Sequence, residues 1–249
     1  MCILLVAHQY HPVYDLIVAA NRDEFHDRPS APASFWPDHP NLLAGRDLEA
    51  GGTWLGVNRL GRFSAVTNLR GGVSQDPGSS RGHLVRDFLL DEAPMPRHYL
   101  AELAPRRHRY AGCNLLLAEG TELHWWSPMG ERALLPGLHG ISNTLLDEGW
   151  PKVERLKQSF HPLREAQGDE MISALLELLR DREVSSPEGR PEPFHPPRLE
   201  ETIFVQTHTY GTRCSTVVLR DRHSGRLNFV ERRYDAGAAV SGESRLPDT

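Results

Sequence analysis

Short apolar runs separated by turn residues recur in pairs along the chain. The first two runs, 3–7 and 16–20, flank His11 and Pro12, which predicts a β-hairpin. Glycine-containing turns separate three further pairs of runs, which are 53–58 with 63–67, 115–118 with 123–126, and 216–219 with 227–230. Four hairpins predict antiparallel sheet.

Helical signals fall between these hairpins. Ser80 is placed to cap one helix, Pro151 to occupy the first turn of a second, and Asp169 to cap a third over 171–179. Apolar residues repeat at helical spacing in each, at Leu84, Val85, Phe88 and Leu89, at Val153, Leu156 and Phe160, and within 171–179. Amphipathic helices cover sheet faces, so the pattern predicts a layered α+β fold rather than a βαβ nucleotide-binding fold.

One domain is expected over 2–235, because a division elsewhere would leave neighbouring strands without partners. Residues 185–197 contain five prolines and little apolar content, which predicts a surface loop. The last residues, 236–249, are predicted to form a flexible tail.

Composition narrows the class of protein. The 249 residues carry a net charge of −5, and arginine is scattered along the chain, which argues against non-specific nucleic-acid binding. No 18-residue apolar run or signal peptide is present, so we expect no membrane span and no export. Three unpaired cysteines favour a reducing, cytoplasmic location. His8 and His11 form an HxxH pair, but no cluster completes a metal site.

Cys2 is the candidate nucleophile. Removal of Met1 would leave a free α-amine beside the thiol, and an α-amine titrates close enough to neutral pH to accept the thiol proton. The alternative is that Cys2 is a small buried residue at the start of a strand.

Four polar residues, Asn21 to Glu24, follow the second predicted strand. An antiparallel partner would bring them near Cys2, where Arg22 would favour the thiolate and Asp23 would orient the α-amine. The alternative is a surface turn with a local ion pair, worth at most about 1 kcal/mol.

A set of motifs extends over nearly the whole chain. They are Cys2, NRDE at 21–24, Arg28 with Pro29, 45–47, GGTWLG at 51–56, 67–70, 80–82, 114–116, 140–143 and YGTRCST at 210–216. In these motifs the chain resembles the NRDE family, also called the transport and Golgi organisation 2 family. The resemblance implies a branch of the N-terminal nucleophile hydrolases, similar to penicillin V acylases and bile salt hydrolases, with a four-layer αββα sandwich.

The resemblance also implies a set of site residues, in chain order Cys2, Arg22, Asp23, Asn68, Asn143 and Arg213. In the related enzymes two residues separate the first arginine from its aspartate, whereas Arg22 and Asp23 are adjacent. Adjacent residues of a strand face opposite ways, so either a bulge lies here or one role has moved.

Two asparagines and a later arginine complete this implied site. Asn143, with Asn68 or a backbone amide, would hold the oxyanion, and Arg213 would stabilise the charge of the pocket. Each asparagine has an alternative structural role, Asn68 in the turn before Gly71 and Asn143 as a cap.

Two functions follow from the resemblance. The first is hydrolysis of a linear carbon–nitrogen amide bond in a small acylated molecule, without a cofactor. The second is a non-catalytic carrier of haem or of a lipid or acyl-CoA, in keeping with the family's links to haem trafficking. Haem would need an axial ligand, for which His8, His11, His26 and Cys2 are candidates.

Overall fold

Two antiparallel β-sheets stack face to face, and helices cover both outer faces. The structure is a computed structural model that describes residues 2–69, 80–90, 95–110, 112–184 and 202–246. The strands are β1 (Cys2–His8), β2 (Tyr14–Phe25), β3 (Ser30–Trp36), β4 (His39–Asp47), β5 (Leu55–Asn58), β6 (Phe63–Asn68), β7 (Cys113–Glu119), β8 (Glu122–Ser127), β9 (Gly130–Ala133), β10 (Gly137–Ile141), β11 (Tyr210–Asp221), β12 (Leu227–Tyr234) and β13 (Val240–Leu246). The helices are α1 (Arg81–Leu90), α2 (Pro96–Leu103), α3 (Pro151–Phe160) and α4 (Gly168–Leu178), with 3₁₀ segments at Ala104–Arg109 and His161–Leu163.

Each sheet joins strands that are distant in sequence. The first sheet has the order β10-β1-β2-β11-β12-β13, and the second runs from β3 to β9 in chain order. Neighbouring strands are antiparallel in both sheets. The helices among the described residues are too short or too polar to cross a membrane.

Three apolar layers hold the sandwich together. Leu4 and Val18 of the first sheet pack with Val57 of the second in the layer between the sheets. Alternate residues of the same strands, such as Leu5, face α3 and α4, while α1 and α2 cover the other sheet. This αββα arrangement confirms the predicted α+β fold.

The structure confirms all four predicted hairpins and corrects several local predictions. The polar residues 21–24 lie within β2 rather than after it, because Asn21 and Asp23 accept hydrogen bonds from Ser215 and Thr212 of the neighbouring strand β11. Gln167, not Asp169, is the residue before α4, and its side chain makes no capping hydrogen bond. Part of the predicted tail forms β13, which pairs with β12. The loop predicted over 185–197 lies outside the described residues.

Arg220 ties the two sheets together at the end of the sandwich away from Cys2. Its Nε donates to Asp15 Oδ1 at 2.7 Å, and Nη1 donates to the carbonyl oxygen of Gly61 at 3.0 Å. Its Nη2 donates to the carbonyl oxygen of Gly120. Arg220 and Asp15 belong to the first sheet, whereas both glycines lie in hairpin turns of the second. A single buried guanidinium therefore connects both layers.

Candidate functional site

Cys2 begins β1 and faces the space between the two sheets. It pairs with Arg22 of β2, and directly paired residues of an antiparallel ladder share one face. The residue lines a cavity with an empty volume of about 250 Å³, open solvent at its mouth included. This Cys2 cavity is bounded mainly by Cys2, Arg22, Trp54, Leu55, Val66 and Thr67. Its wall is largely apolar.

The Cys2 thiol is held in its neutral form. Burial is the main effect and raises the pKa of this thiol above its ordinary value. The buried Ser142 hydroxyl donates a 2.8 Å hydrogen bond to the carbonyl oxygen of Cys2, which fixes the start of β1. A neutral thiol needs a base before it can attack a carbonyl carbon.

Arg22 is the charged side chain that shares the Cys2 face of β2. Its guanidinium carbon lies 4.3 Å from the centroid of the Trp54 ring, and Nη2 lies 3.6 Å from Asp47 Oδ2 and 3.9 Å from Glu24 Oε2. Asp47 makes a closer pair with Arg28, at 2.7 Å. The buried Nη1 of Arg22 makes no hydrogen bond with the described residues.

Asp23 lies on the opposite face of β2 from Cys2. It pairs with Thr212 of β11, whose hydroxyl donates to Asp23 Oδ1 at 2.7 Å. Burial raises the pKa of the Asp23 carboxyl, and the positive charge of Lys152 is the strongest influence that opposes this rise. Arg22 and Asp23 therefore do not both face the thiol.

Lys152 is the residue that the sequence-based prediction missed. It follows Pro151 in the first turn of α3, and its side chain is fully buried. Buried lysines are rare because burial disfavours the charged amine, so such a position indicates a specific role. The sequence feature that could have pointed to Lys152 is its residue type, since the chain has only two lysines beside 26 arginines.

Asn68 and Asn143 lie beside each other next to Cys2. β10 pairs with β1 so that Leu4 faces Ile141, and the chain continues through Ser142 to Asn143. Asn143 Nδ2 donates to the carbonyl oxygen of Asn68 at 2.8 Å. One of its two N–H bonds is thus used structurally. That Asn143 and Asn68 hold the oxyanion stays a prediction.

Arg213 occupies a bulge in β11. The register against β2 shifts between Thr212 and Cys214, which leaves Arg213 as the extra residue. The bulge thus lies in the partner strand, opposite Arg22 and Asp23. Arg213 lines a second cavity that also contains Arg22, but it does not line the Cys2 cavity.

The glycine-rich motifs allow close packing around Trp54. A Cβ at Gly45 would lie 2.4 Å from the Trp54 ring, and a Cβ at Gly52 would lie 2.6 Å from the Gly82 backbone. Larger residues would push the ring or α1 away from the site. Gly56 is packed in the same way, since a Cβ there would lie 2.9 Å from Ala44 Cβ, whereas Gly51 serves a turn with a φ of 72°.

The candidate axial histidines His8, His11 and His26 are buried or hydrogen-bonded within the fold, and haem binding stays a prediction. His8 and His11 are 3% and 1% exposed, and His11 Nδ1 accepts hydrogen bonds from two backbone amides. His26 Nε2 contacts the Thr207 carbonyl oxygen at 3.1 Å, and its Nδ1 lies 3.3 Å from Arg213 Nη1. Among the described residues no cluster of three His, Cys, Asp or Glu side chains is arranged for a metal ion.

We expect His8 to make the protein less stable in acid. Burial lowers the pKa of His8 to about 4 from its ordinary 6.5. As the pH falls from 6.5 towards 4, the unfolded chain binds a proton at His8 that the folded chain does not, so stability is lost over this range. The loss is at most about 3 kcal/mol. Urea unfolding of wild type and His8→Gln at several pH values measures it. Equal pH slopes would contradict the prediction.

Comparison with known proteins gives both sequence and structural matches. The family model "Transport and Golgi organisation 2" matches residues 1–236. The transport and Golgi organization 2 homologues of mouse and human are each 34% identical over 257 residues, covering 93% of this chain and 92% of each relative. The Drosophila melanogaster protein is 28% identical, over 93% of this chain and 91% of its own.

A solved structure shares the fold. The Caenorhabditis elegans N-acylethanolamine-hydrolyzing acid amidase ortholog superposes with a TM-score of 0.51 at 12% sequence identity, covering 99% of this chain and 100% of the other. At this identity the match concerns the fold alone, which is that of an N-terminal nucleophile hydrolase.

Proposed function

The chain belongs to the transport and Golgi organisation 2 family, and on that premise we propose that it is a cysteine N-terminal nucleophile hydrolase of linear amide bonds. The observation that carries this proposal is the position of Cys2, whose side chain lines an internal cavity together with Arg22. A cysteine that served only to fill the core would not require a buried arginine on its own face.

The opposite orientations of Arg22 and Asp23 suit such a nucleophile. Once Met1 is removed, the α-amine of Cys2 is the first backbone group of β1, and Arg22 and Asp23 on the neighbouring strand point to opposite faces beside it. Arg22 then serves the face that carries the thiol, and Asp23 serves the amine from the other face. Adjacent residues with opposite orientations can therefore fill both roles without a bulge in β2.

The reaction proceeds through a thioester. The α-amine accepts the thiol proton while Sγ bonds to the amide carbonyl carbon, and an N–H of Asn143 stabilises the negative oxygen. The C–N bond then breaks as the amine returns the proton to the leaving nitrogen. Water attacks the thioester, which releases a carboxylic acid and restores the thiol. No cofactor takes part.

Intact-mass spectrometry tests the first requirement of this mechanism. We expect the purified protein to lack the mass of one methionine residue. Incubation with a panel of N-acyl amides of different chain lengths should then add the mass of an acyl group, most clearly when the reaction is quenched early with acid. Retention of Met1 would block the amine and contradict the proposal.

Lys152 is proposed as a positioning residue that favours the ionised form of Asp23. In Lys152→Met the loss of the positive charge raises the pKa of Asp23 further, so the acid side of the pH–activity profile should move to higher pH. We expect kcat/KM at neutral pH to fall by about tenfold or more. Lys152→Arg should restore part of the profile, and Lys157→Met on the same helix is the matched control. A uniform loss of activity with an unchanged profile would show that Lys152 is only structural.

A further inference from the structure

A second cavity lies beside the Cys2 cavity. Arg22 and Trp54 line both cavities and therefore separate them. The second has an empty volume of about 420 Å³, open solvent included. We call it the arginine chamber, and its defining residues are Arg22, Trp54, Arg213, Cys214, Glu231 and Arg233.

The walls of the arginine chamber carry an excess of positive charge. Three arginines line it, and Glu231 is the one carboxylate among its described lining residues. Glu231 is 2% exposed, Oε1 accepts a 2.8 Å hydrogen bond from the Ala33 amide, and the same atom lies 3.6 Å from Arg233 Nη1. Burial raises the pKa of Glu231 above its ordinary value. Glu231 therefore offsets at most one of the three guanidinium groups, while Asp47 and Glu24 partly offset Arg22 from outside the chamber.

Two of these arginines keep buried donors without acceptors. Arg22 Nη1 and Arg213 Nε are both buried and make no hydrogen bond with the described residues. Another nitrogen of each guanidinium group already has a partner. Arg213 Nη1 donates to the His26 carbonyl oxygen at 2.7 Å, and Arg22 Nη2 lies 3.6 Å from Asp47 Oδ2. A buried guanidinium N–H without an acceptor is unfavourable, so these donors fit a ligand that brings oxygen atoms.

The register of the first sheet sets the distance between the chamber and the nucleophile. Cys2 pairs with Arg22, and Arg22 pairs with Cys214 on the next strand. Because neighbouring strands are about 4.8 Å apart, the backbones of Cys2 and Cys214 are about 10 Å apart. The chamber therefore lies within the length of a small extended substrate whose carbonyl is at Cys2.

We propose that the arginine chamber binds an oxyanion, a carboxylate or a phosphate, at one end of the substrate, on the order of 10 Å from the amide that Cys2 attacks. This inference rests on the proposed function and specifies the substrate class. The planar guanidinium groups of Arg22 and Arg213 match the paired oxygens of either anion, and Arg233 adds a third positive charge.

Calorimetric binding to the full-length Cys2→Ala protein tests this proposal without turnover. The ligands are three N-hexanoyl amides of equal length, formed from ε-aminocaproate, ω-aminopentylphosphonate and the neutral ε-aminocaproamide. We expect one or both anionic amides to bind at least about tenfold more tightly than the neutral one. The tighter of the two identifies the anion as a carboxylate or a phosphate.

Arg213→Gln and Arg233→Gln, each added to Cys2→Ala, should remove most of this preference, measured as the ratio of anionic to neutral amide affinity within each variant. Arg106→Gln, at an exposed position, is the matched control. Equal binding of the three amides, or a preference that survives both substitutions, would overturn the proposal. If no amide binds, inorganic phosphate should still raise the melting temperature of wild type but not of the two variants, and failure there also overturns it.

The test of anion binding and the test of amide hydrolysis can fail independently of each other. Binding is measured in a protein that cannot form a thioester, so an anion preference does not depend on hydrolysis. A strong preference with no turnover by wild type would refute hydrolysis and leave the chamber as a binding site. Turnover of neutral amides, together with equal binding of the anionic and neutral amides, would support hydrolysis and refute the anion site.

Discussion

Replacement of Cys2 by alanine is expected to abolish amide hydrolysis, with kcat/KM lowered by at least about 10³-fold. The variant keeps the α-amine, Arg22 and the Cys2 cavity, but it has no sulfur to form the thioester. The measurement is the initial rate on the N-acyl amide that wild type cleaves best, together with the loss of the acyl mass adduct. The Ala side chain removes only one small group from a partly exposed position, so the fold should be retained.

Two further cysteine variants make this test specific. Cys2→Ser keeps a weaker nucleophile beside the same amine and should retain a small residual rate. Cys113→Ala is the matched control, because Cys113 packs in the core between the second sheet and its helices and does not line the Cys2 cavity. Hydrolysis that continued unchanged in Cys2→Ala would refute the proposed nucleophile.

Replacement of Arg220 by methionine is expected to lower the free energy of unfolding by about 3 kcal/mol or more. Methionine fills similar space, but the change leaves Asp15 buried without its cation and leaves the carbonyl groups of Gly61 and Gly120 without a donor. Equilibrium unfolding in guanidinium chloride, followed by tryptophan fluorescence, measures the loss.

The control for this prediction is Arg106→Met, which changes an exposed arginine and should alter stability by less than about 0.5 kcal/mol. The double variant Asp15→Asn with Arg220→Met should be more stable than Arg220→Met alone, because it removes the uncompensated carboxylate. If Arg220→Met were as stable as wild type, the connection between the sheets would contribute nothing to folding.

The layered fold was largely predictable from local pattern. The four hairpins were visible because each joins two apolar runs through a short turn. β13 was missed because its side chains are mostly exposed and polar, so it carries no strong alternation. The order of the first sheet, in which β2 pairs with β11, depends on contacts across most of the chain and has no local signal.

For the site, the sequence by itself determined the candidate nucleophile, the motif around Arg22 and Asp23, and the family resemblance, because these depend on residue identity and order. Only the tertiary structure decided which face each side chain occupies. The register of β1, β2 and β11 puts Arg22 with Cys2 and Asp23 on the other side.

The tertiary structure also brought Lys152 to Asp23 and gathered Arg22, Arg213 and Arg233 around one chamber. The physical reason is that charge and chemistry belong to individual residues, whereas orientation, burial and the distances between charges arise only when distant segments pack against each other.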